Sequence, residues 1–379
     1  MKKLRELILR VLTTHAAWPI LICVGLLCMV SVLAIELASK PGEGFADRQR
    51  LFVGVGAAIV ILTLIPNFQS IGQGSYVFFG IGLVMLVAVF FTQSVNGARR
   101  WFQTPIGFSL QPSEFAKITY VMALAWYLRY HRNIRELSGL LPPFLLMLIP
   151  FVLILMEPDL GTALLFPLVL YAMLIAAGAK LRHLIVIAVV TALALPGAYP
   201  FLKPYQQERI TSLVVSISGQ GGEEHRMGVG YQPYQARIAL GSGGITGQGP
   251  EGAQHIKQGL LPEAHTDFIY AVVGTQWGFV GCVGILLLYL GFFAASVEIA
   301  ATCRDPFGRL LVIGLSSLVV FQVVINVGMT VGIFPVVGIA LPFVSYGGSS
   351  LLTNMVAAGL LLNVSVRRQA NAAPAIGVR

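Results

Sequence analysis

Acidic and basic side chains gather in a few short stretches of an otherwise apolar chain, and their spacing is the first guide to chemistry. In Gln111-Pro-Ser-Glu-Phe-Ala-Lys117, Glu114 and Lys117 stand three residues apart, so on a helix they share a face and can pair. Pro112 suits a first helical turn, with Gln111 just before it and Ser109 as the cap of an earlier start. Such a pair either closes a helix terminus or lines a polar cavity where Lys117 meets an anionic head group. Glu157-Pro-Asp-Leu-Gly-Thr162 places two carboxylates in one sharp turn. Pro158 forces Glu157 out of helix, and Asp159 can cap the helix that follows. Capping would account for Asp159; a metal or a basic partner is the other reading.

A third stretch, Pro262-Glu-Ala-His-Thr-Asp-Phe-Ile269, packs Glu263, His265 and Asp267 into five residues beside a hydrophobic run. Desolvation there can raise a carboxylate toward the range useful to a general base. The alternative is a solvated loop end with a lone surface histidine. Ahead of it runs Gly241-Ser-Gly-Gly-Ile-Thr-Gly-Gln-Gly249, which is no phosphate-binding P-loop because no Gly-Lys-Ser/Thr follows. These glycines either let backbone approach a ligand or allow tight turns. A fourth stretch, Pro342-Phe-Val-Ser-Tyr-Gly-Gly-Ser-Ser350, is apolar yet full of helix breakers. Such backbone survives at membrane depth only when buried in protein or lining a hydrated cavity, as a re-entrant loop or an outer cap.

The elements that must position these residues follow from composition. Of 379 residues, 56% are hydrophobic and only 11% charged, against about 25% charged in a soluble protein. A chain with so few charges cannot cover a surface in water. The formal charge of +9 does not imply nucleic acid, because the basic residues are scattered without an aromatic-basic patch. An all-α, polytopic membrane bundle is expected. Uncharged runs at 17–35, 137–156, 160–179 and 184–202 each approach the roughly 20 residues of one crossing. Runs at 51–98 and 310–366 each read as two crossings, 268–297 as one, and 112–128 as one that carries Glu114 and Lys117. About ten helices result, with both termini on one side. A long loop, 203–266, joins the seventh and eighth, and the whole of 1–379 reads as one integral domain. With the amino terminus inside, 14 of the 25 basic residues but only four of the 16 acidic ones lie inside, as the positive-inside rule requires. The amino-terminal run reads as an anchor rather than a cleaved leader. Cys23, Cys28, Cys282 and Cys303 fall in spans or on the inner side, so no disulfide framework is expected.

Taken together the motifs resemble the SEDS proteins (shape, elongation, division and sporulation), polytopic peptidoglycan polymerases. The carriers are Asn96-Gly-Ala-Arg-Arg-Trp101, Gln111 to Lys117, Glu157-Pro-Asp-Leu-Gly-Thr-Ala163, Ile238-Ala-Leu-Gly-Ser-Gly-Gly244, Leu261 to Ile269 and Pro342 to Ser350. The short tails and Phe334-Pro-Val-Val-Gly-Ile339 resemble the elongation branch more than the division branch. The chain departs from the family at Thr275-Gln276, where many members are acidic, and at Gln235-Ala236, usually Gln-Ser. It also lacks the Asp-Pro turn that often precedes Gly230-Tyr-Gln232.

The resemblance implies polymerisation of lipid II by inverting displacement of undecaprenyl diphosphate, in the bacterial cytoplasmic membrane, with a class B penicillin-binding protein as partner. Asp267 matches the family's catalytic position and is the expected general base. Inversion calls for one displacement and one base. Lys117 and Arg99 are expected at the leaving diphosphate, with Glu114 orienting Lys117 and Asp159 shaping the cavity. Glu263, His265, Arg209 and Ser345 are expected in support. A divalent cation, Mg or Mn, could assist at Asp159 and Asp267. A lipid II flippase and a non-catalytic scaffold are the other classes.

Overall fold

The computed structural model describes residues 15–39, 42–93, 98–103, 109–131, 133–201, 206–208, 211, 215, 230–250 and 261–368. Helices dominate. In chain order they are α1 (Ala17–Ala38), α2 (Phe45–Leu64), α3 (Phe68–Gln73), α4 (Ser75–Ala88), α5 (Pro112–Leu128) and α6 (Leu141–Met156). Then come α7 (Leu160–Ala176), α8 (Leu181–Ala198), α9 (Tyr231–Ser242), α10 (Ile269–Thr302), α11 (Pro306–Val331) and α12 (Gly348–Arg367). A two-residue antiparallel hairpin, β1 (Phe102–Gln103) with β2 (Ser109–Leu110), interrupts them and was not expected. Among the described residues, five helical segments are long and apolar enough to cross a bilayer: Ala17–Ala38, Ser138–Met156, Ile269–Thr302, Pro306–Val331 and Gly348–Arg367. Shorter apolar helices accompany them at Ser75–Phe91, Leu160–Ala176 and Leu181–Ala194. The protein is a multi-pass membrane protein.

Local chemistry sets the boundaries. Asn67 caps α3 through Gln69 N–H at 3.2 Å, which makes the break expected inside the 51–98 run. Asp305 caps α11 through Gly308 N–H at 2.9 Å, with Pro306 in the first turn. At the other end of α11, Gly332 turns left-handed at φ +89° and its N–H returns to the Gly328 carbonyl. Side chains such as Leu193, Phe91 and Val84 point outward, as lipid-facing residues must. The core lies along α5, α7, α11 and α12, where Tyr120, Phe166, Leu315 and Leu361 are buried.

The long loop is partly structured, since α9 packs against α10. Its glycines have a structural task. α10 kinks at Gly278 (φ +62°), and the freed backbone is taken up by the glycine-rich stretch. Gln248 N–H donates to the Thr275 carbonyl at 2.9 Å, Phe279 N–H to Gly244 at 2.9 Å, and Val280 N–H to Ile245 at 3.1 Å. A Cβ on Gly247 would lie 2.2 Å from the Gln276 carbonyl oxygen, so only glycine permits this approach. Of the two readings for these glycines, close backbone contact holds, but the contact is with α10.

Candidate functional site

Four helices begin around one cleft of about 300 Å³. It is lined by Gln111 and Glu114 at the start of α5, Asp159 and Thr162 at the start of α7, Asp267 just before α10, and Ser349 at the start of α12. Helix N-termini carry partial positive charge and unpaired N–H groups. Four of them converging make the site favourable to an anion before any side chain is counted.

The α5 start forms as its residues dictate. Gln111 is extended, Pro112 occupies the first turn, and the Gln111 N–H donates to Ser349 Oγ at 3.1 Å. Ser349 in turn donates to the Ser109 carbonyl at 2.6 Å, tying the hairpin to α12. Lys117 Nζ meets Glu114 Oε1 at 2.8 Å, the expected pair, and the lysine side chain is only 2% exposed. Glu114 Oε2 is sealed from solvent without a hydrogen-bond partner. Desolvating both charges is costly and is repaid only by good geometry.

Asp159 caps α7 as the capping reading foresaw, accepting from Thr162 N–H at 3.2 Å. Its second oxygen accepts from Gln111 Nε2 at 3.0 Å, which joins α7 to α5 across the cleft. Its neighbour Glu157 is buried with neither carboxyl oxygen hydrogen-bonded. Burial, then the Asp159 charge, push it up to about 8 despite the opposing Arg100.

Glu263 opens the turn before α10 with its backbone left-handed at φ +52°. Its carbonyl collects the N–H groups of Thr266, Asp267 and Phe268 at 3.1–3.3 Å. That tight turn aims Asp267 into the cleft. The Asp267 carbonyl accepts from Asn326 Nδ2 at 2.9 Å, which also donates to Ile339 at 2.7 Å. Gly338 lies against the carboxylate, where a Cβ would sit 3.3 Å from Oδ2. The breaker-rich 335–350 segment is thus buried in protein and forms a wall of the cleft.

Two expectations need correction. Arg99 is exposed and donates to the Phe90 carbonyl at 2.8 Å; the cleft is lined by Arg100 instead. Arg100 Nε donates to the Glu157 carbonyl at 2.8 Å and Nη2 to that of Pro158. His265 is not in the cleft. It stacks on Phe45 at 4.5 Å between centroids and meets Tyr346 edge-on, and burial lowers its basicity against the pull of Glu263 and Glu43. Ser345 is a staple, donating to the Thr266 carbonyl at 2.6 Å and accepting from Leu341 N–H at 2.7 Å. Arg209, Asn96 and Gly97 lie outside the described residues. Among the described residues no group of three or more His, Cys, Asp or Glu gathers to hold a metal.

The Thr275-Gln276 departure is structural. Thr275 Oγ1 donates to the Ala239 carbonyl at 2.8 Å and Gln276 Nε2 to Ala34 at 3.4 Å. Sequence reasoning missed Arg100, Gln322 and Asn326. It also missed a second hollow of about 400 Å³, walled by Phe45, Arg48, Phe52, Trp101 and Tyr346, which shares Trp101, Thr266, Tyr346 and Gly347 with the first. Two amides four residues apart on a long apolar helix were the available signal.

The family model described as "Cell cycle protein" (FtsW, RodA, SpoVE) matches residues 12–370. The chain belongs to the SEDS family. It is 36% identical over 355 residues to a probable peptidoglycan glycosyltransferase FtsW of Trichlorobacter lovleyi, covering 90% of this chain and 89% of that one. To stage V sporulation protein E of Bacillus subtilis it is 34% identical, covering 91% and 94%. Among solved structures, it resembles one described under "structural coordination of polymerization and crosslinking by a peptidoglycan synthase complex", with a TM-score of 0.79, 30% identity and 93% and 98% of the two chains covered. It also resembles RodA of Thermus thermophilus, with a TM-score of 0.70, 29% identity and 93% and 97% covered. The SEDS resemblance drawn from six motifs therefore holds over nearly the whole length.

Proposed function

We propose that this protein is a peptidoglycan glycosyltransferase that polymerises lipid II in the bacterial cytoplasmic membrane. The observation that carries the reading is one cleft holding a carboxylate, Asp267, together with Lys117, Arg100 and four helix N-termini. The names of its SEDS relatives support the same activity. The 4-hydroxyl of the acceptor sugar attacks the anomeric carbon of the donor, Asp267 takes the hydroxyl proton, and the bond to undecaprenyl diphosphate breaks with its electron pair on the leaving oxygen. One displacement inverts the α-linked donor to a β-1,4 bond. Lys117, Arg100 and the helix N-termini stabilise the departing charge, Glu114 orients Lys117, and Asp159 holds α5 and α7 together.

Ten crossings with both termini cytoplasmic put this cleft on the outer face, where lipid-linked sugars are found. The inward bias of lysine and arginine supports that topology. A reporter placed near Gln220 should read outside, and one after Arg368 inside. A class B penicillin-binding protein fits as partner, and the likeness to a synthase complex supports pairing; co-purification in detergent is its test. For the cellular role, the relatives named FtsW favour division, while Phe334-Pro-Val-Val-Gly-Ile339 and the likeness to RodA favour elongation. Rescue of a strain depleted of one branch or the other decides between them.

The activity itself is tested with purified protein and lipid II in detergent, with and without the partner, by glycan chains on gels. No bilayer is present there, so chain formation excludes flipping as its explanation. A scaffold would make no chains in any condition.

A further inference from the structure

α11 is apolar for most of its length, yet Gln322, Asn326 and Thr330 recur at intervals of four and so form one polar stripe. Two of the three make side-chain hydrogen bonds within the protein, although Asn326 Oδ1 has no partner. Asn326 Nδ2 holds the Asp267 and Ile339 carbonyls, and Thr330 Oγ1 donates to the Asn326 carbonyl at 2.9 Å. Gln322 is different. It is 1% exposed, its Oε1 is sealed, and among the described residues its side chain makes no hydrogen bond. It lines the cleft one helical turn, about 5.4 Å, from the asparagine that holds Asp267.

Buried side-chain amides are nearly always paired, so one without any hydrogen bond in the wall of a cleft marks a missing partner. A second unpartnered acceptor, Glu114 Oε2, belongs to another residue of the cleft wall. An ionised diphosphate carries no N–H or O–H to offer these oxygens and would be repelled by them. The partner must bring a donor. A primary amide presents one acceptor and a pair of donors in a fixed plane, and its natural complement is another amide.

Given the function proposed above, on which this step rests, the substrate carries such a group one bond from the reacting carbon: the acetamido substituent at carbon 2 of the donor sugar. We propose that Gln322 pairs amide to amide with this acetamido group and makes the enzyme selective for N-acetylated sugars. Gln322 is then a substrate-contacting residue that positions the anomeric carbon beside Asp267. Diphosphate recognition falls instead to Lys117, Arg100 and the helix N-termini.

The test compares lipid II with a synthetic analogue whose donor sugar carries a free amine in place of the acetamido group. Initial rates are measured for wild type, Gln322→Leu and the near-isosteric Gln322→Met. Wild type should prefer the acetylated donor by at least about 10²-fold in kcat/KM, as sites built to hydrogen-bond a substrate do. Both variants should lose most of that rate and treat the two donors alike, while melting no lower than wild type, because an unpartnered amide is removed. Wild-type discrimination retained by a folded variant overturns the proposal. So does a wild type that polymerises both donors equally. A wild type that polymerises neither donor, with or without the partner, instead refutes the functional reading and this inference with it.

Discussion

Polar residues gather at both ends of the helix bundle, and the two gatherings are built differently. At the end where α12 finishes beside the end of α2, Asn363 and Arg367 are spent on backbone carbonyls, although Ser365 Oγ and Arg368 Nη1 have no hydrogen-bond partner. Asn363 Nδ2 donates to the Thr63 and Pro66 carbonyls at 2.6 and 2.8 Å, and Arg367 donates to Asn363 Oδ1 at 2.5 Å and to the Leu64 carbonyl at 2.7 Å. These groups satisfy the carbonyls that any helix leaves open at its C-terminus, and the arginine charge suits that end of the dipole. At the opposite end, where helices begin, Glu114 Oε2, both Glu157 oxygens and Gln322 remain without partners. Polar side chains spent on backbone carbonyls in a membrane bundle are glue, whereas unpartnered ones around a cleft await something from outside.

Substitutions can break that contrast, and the largest effect belongs to the cleft. Asp267→Asn keeps shape and hydrogen bonding but removes the base, so glycan formation should fall by about 10²–10⁴ with unfolding temperature unchanged. A wild-type rate on gels would reassign the base. Lys117→Met strands Glu114 among buried residues, and losing one member of a buried pair costs about 3–5 kcal/mol. That variant should lose stability and activity together, while Glu114→Gln with Lys117→Met should regain the stability alone, as read by melting and by chain formation. If the double variant polymerises, another cation faces the diphosphate.

At the end where α12 finishes the outcome should be the reverse. Asn363→Leu removes two hydrogen bonds to part-buried backbone carbonyls and should lower stability by about 1–3 kcal/mol, with the rate per folded molecule intact. Loss of rate there would erase the distinction between the two ends. A subtler test is pH. Glu157, raised from 4.5 to about 8, keeps its proton in the folded protein over a range where the unfolded chain has lost it. Stability should therefore fall as pH rises from about 4.5 toward 8. Glu157→Gln should flatten that slope in melting curves. The smallest effect is expected from Arg99→Ala, which faces away from the cleft and should leave the rate within a few-fold of wild type, whereas Arg100→Ala should cost about 10²-fold, the loss typical of one stabilising donor.

How legible this was depends on what a linear pattern can carry. The Glu114–Lys117 pair and the Asp159 cap were readable because helix geometry and capping are local. Neither Arg99 nor Arg100 sits on a regular element, so no period distinguished the inward residue from the outward one; that depended on the carbonyls of a turn about sixty positions away. Gln322 and Asn326 escaped because charge was the quantity scanned, and an amide carries none. The glycines at 241–249 could not be assigned from sequence, since their partner is the kinked backbone at Gly278. α9 was read as part of a loop because its twelve residues, Tyr231–Ser242, are largely polar and lack an apolar stripe.

The ion pair also bears on how the chain enters the membrane. α5, with 17 residues and both Glu114 and Lys117, is not among the helices apolar enough to cross by themselves, and each charge can oppose insertion by about 2.5–3.5 kcal/mol near mid-bilayer. Paired at 2.8 Å, the two charges move as one neutral dipole. α4, apolar throughout, packs along α5, and Gly82 lets Thr119 come close. The two segments thus pack as a helical hairpin, and the span that bears the ion pair is covered along one side by its apolar predecessor.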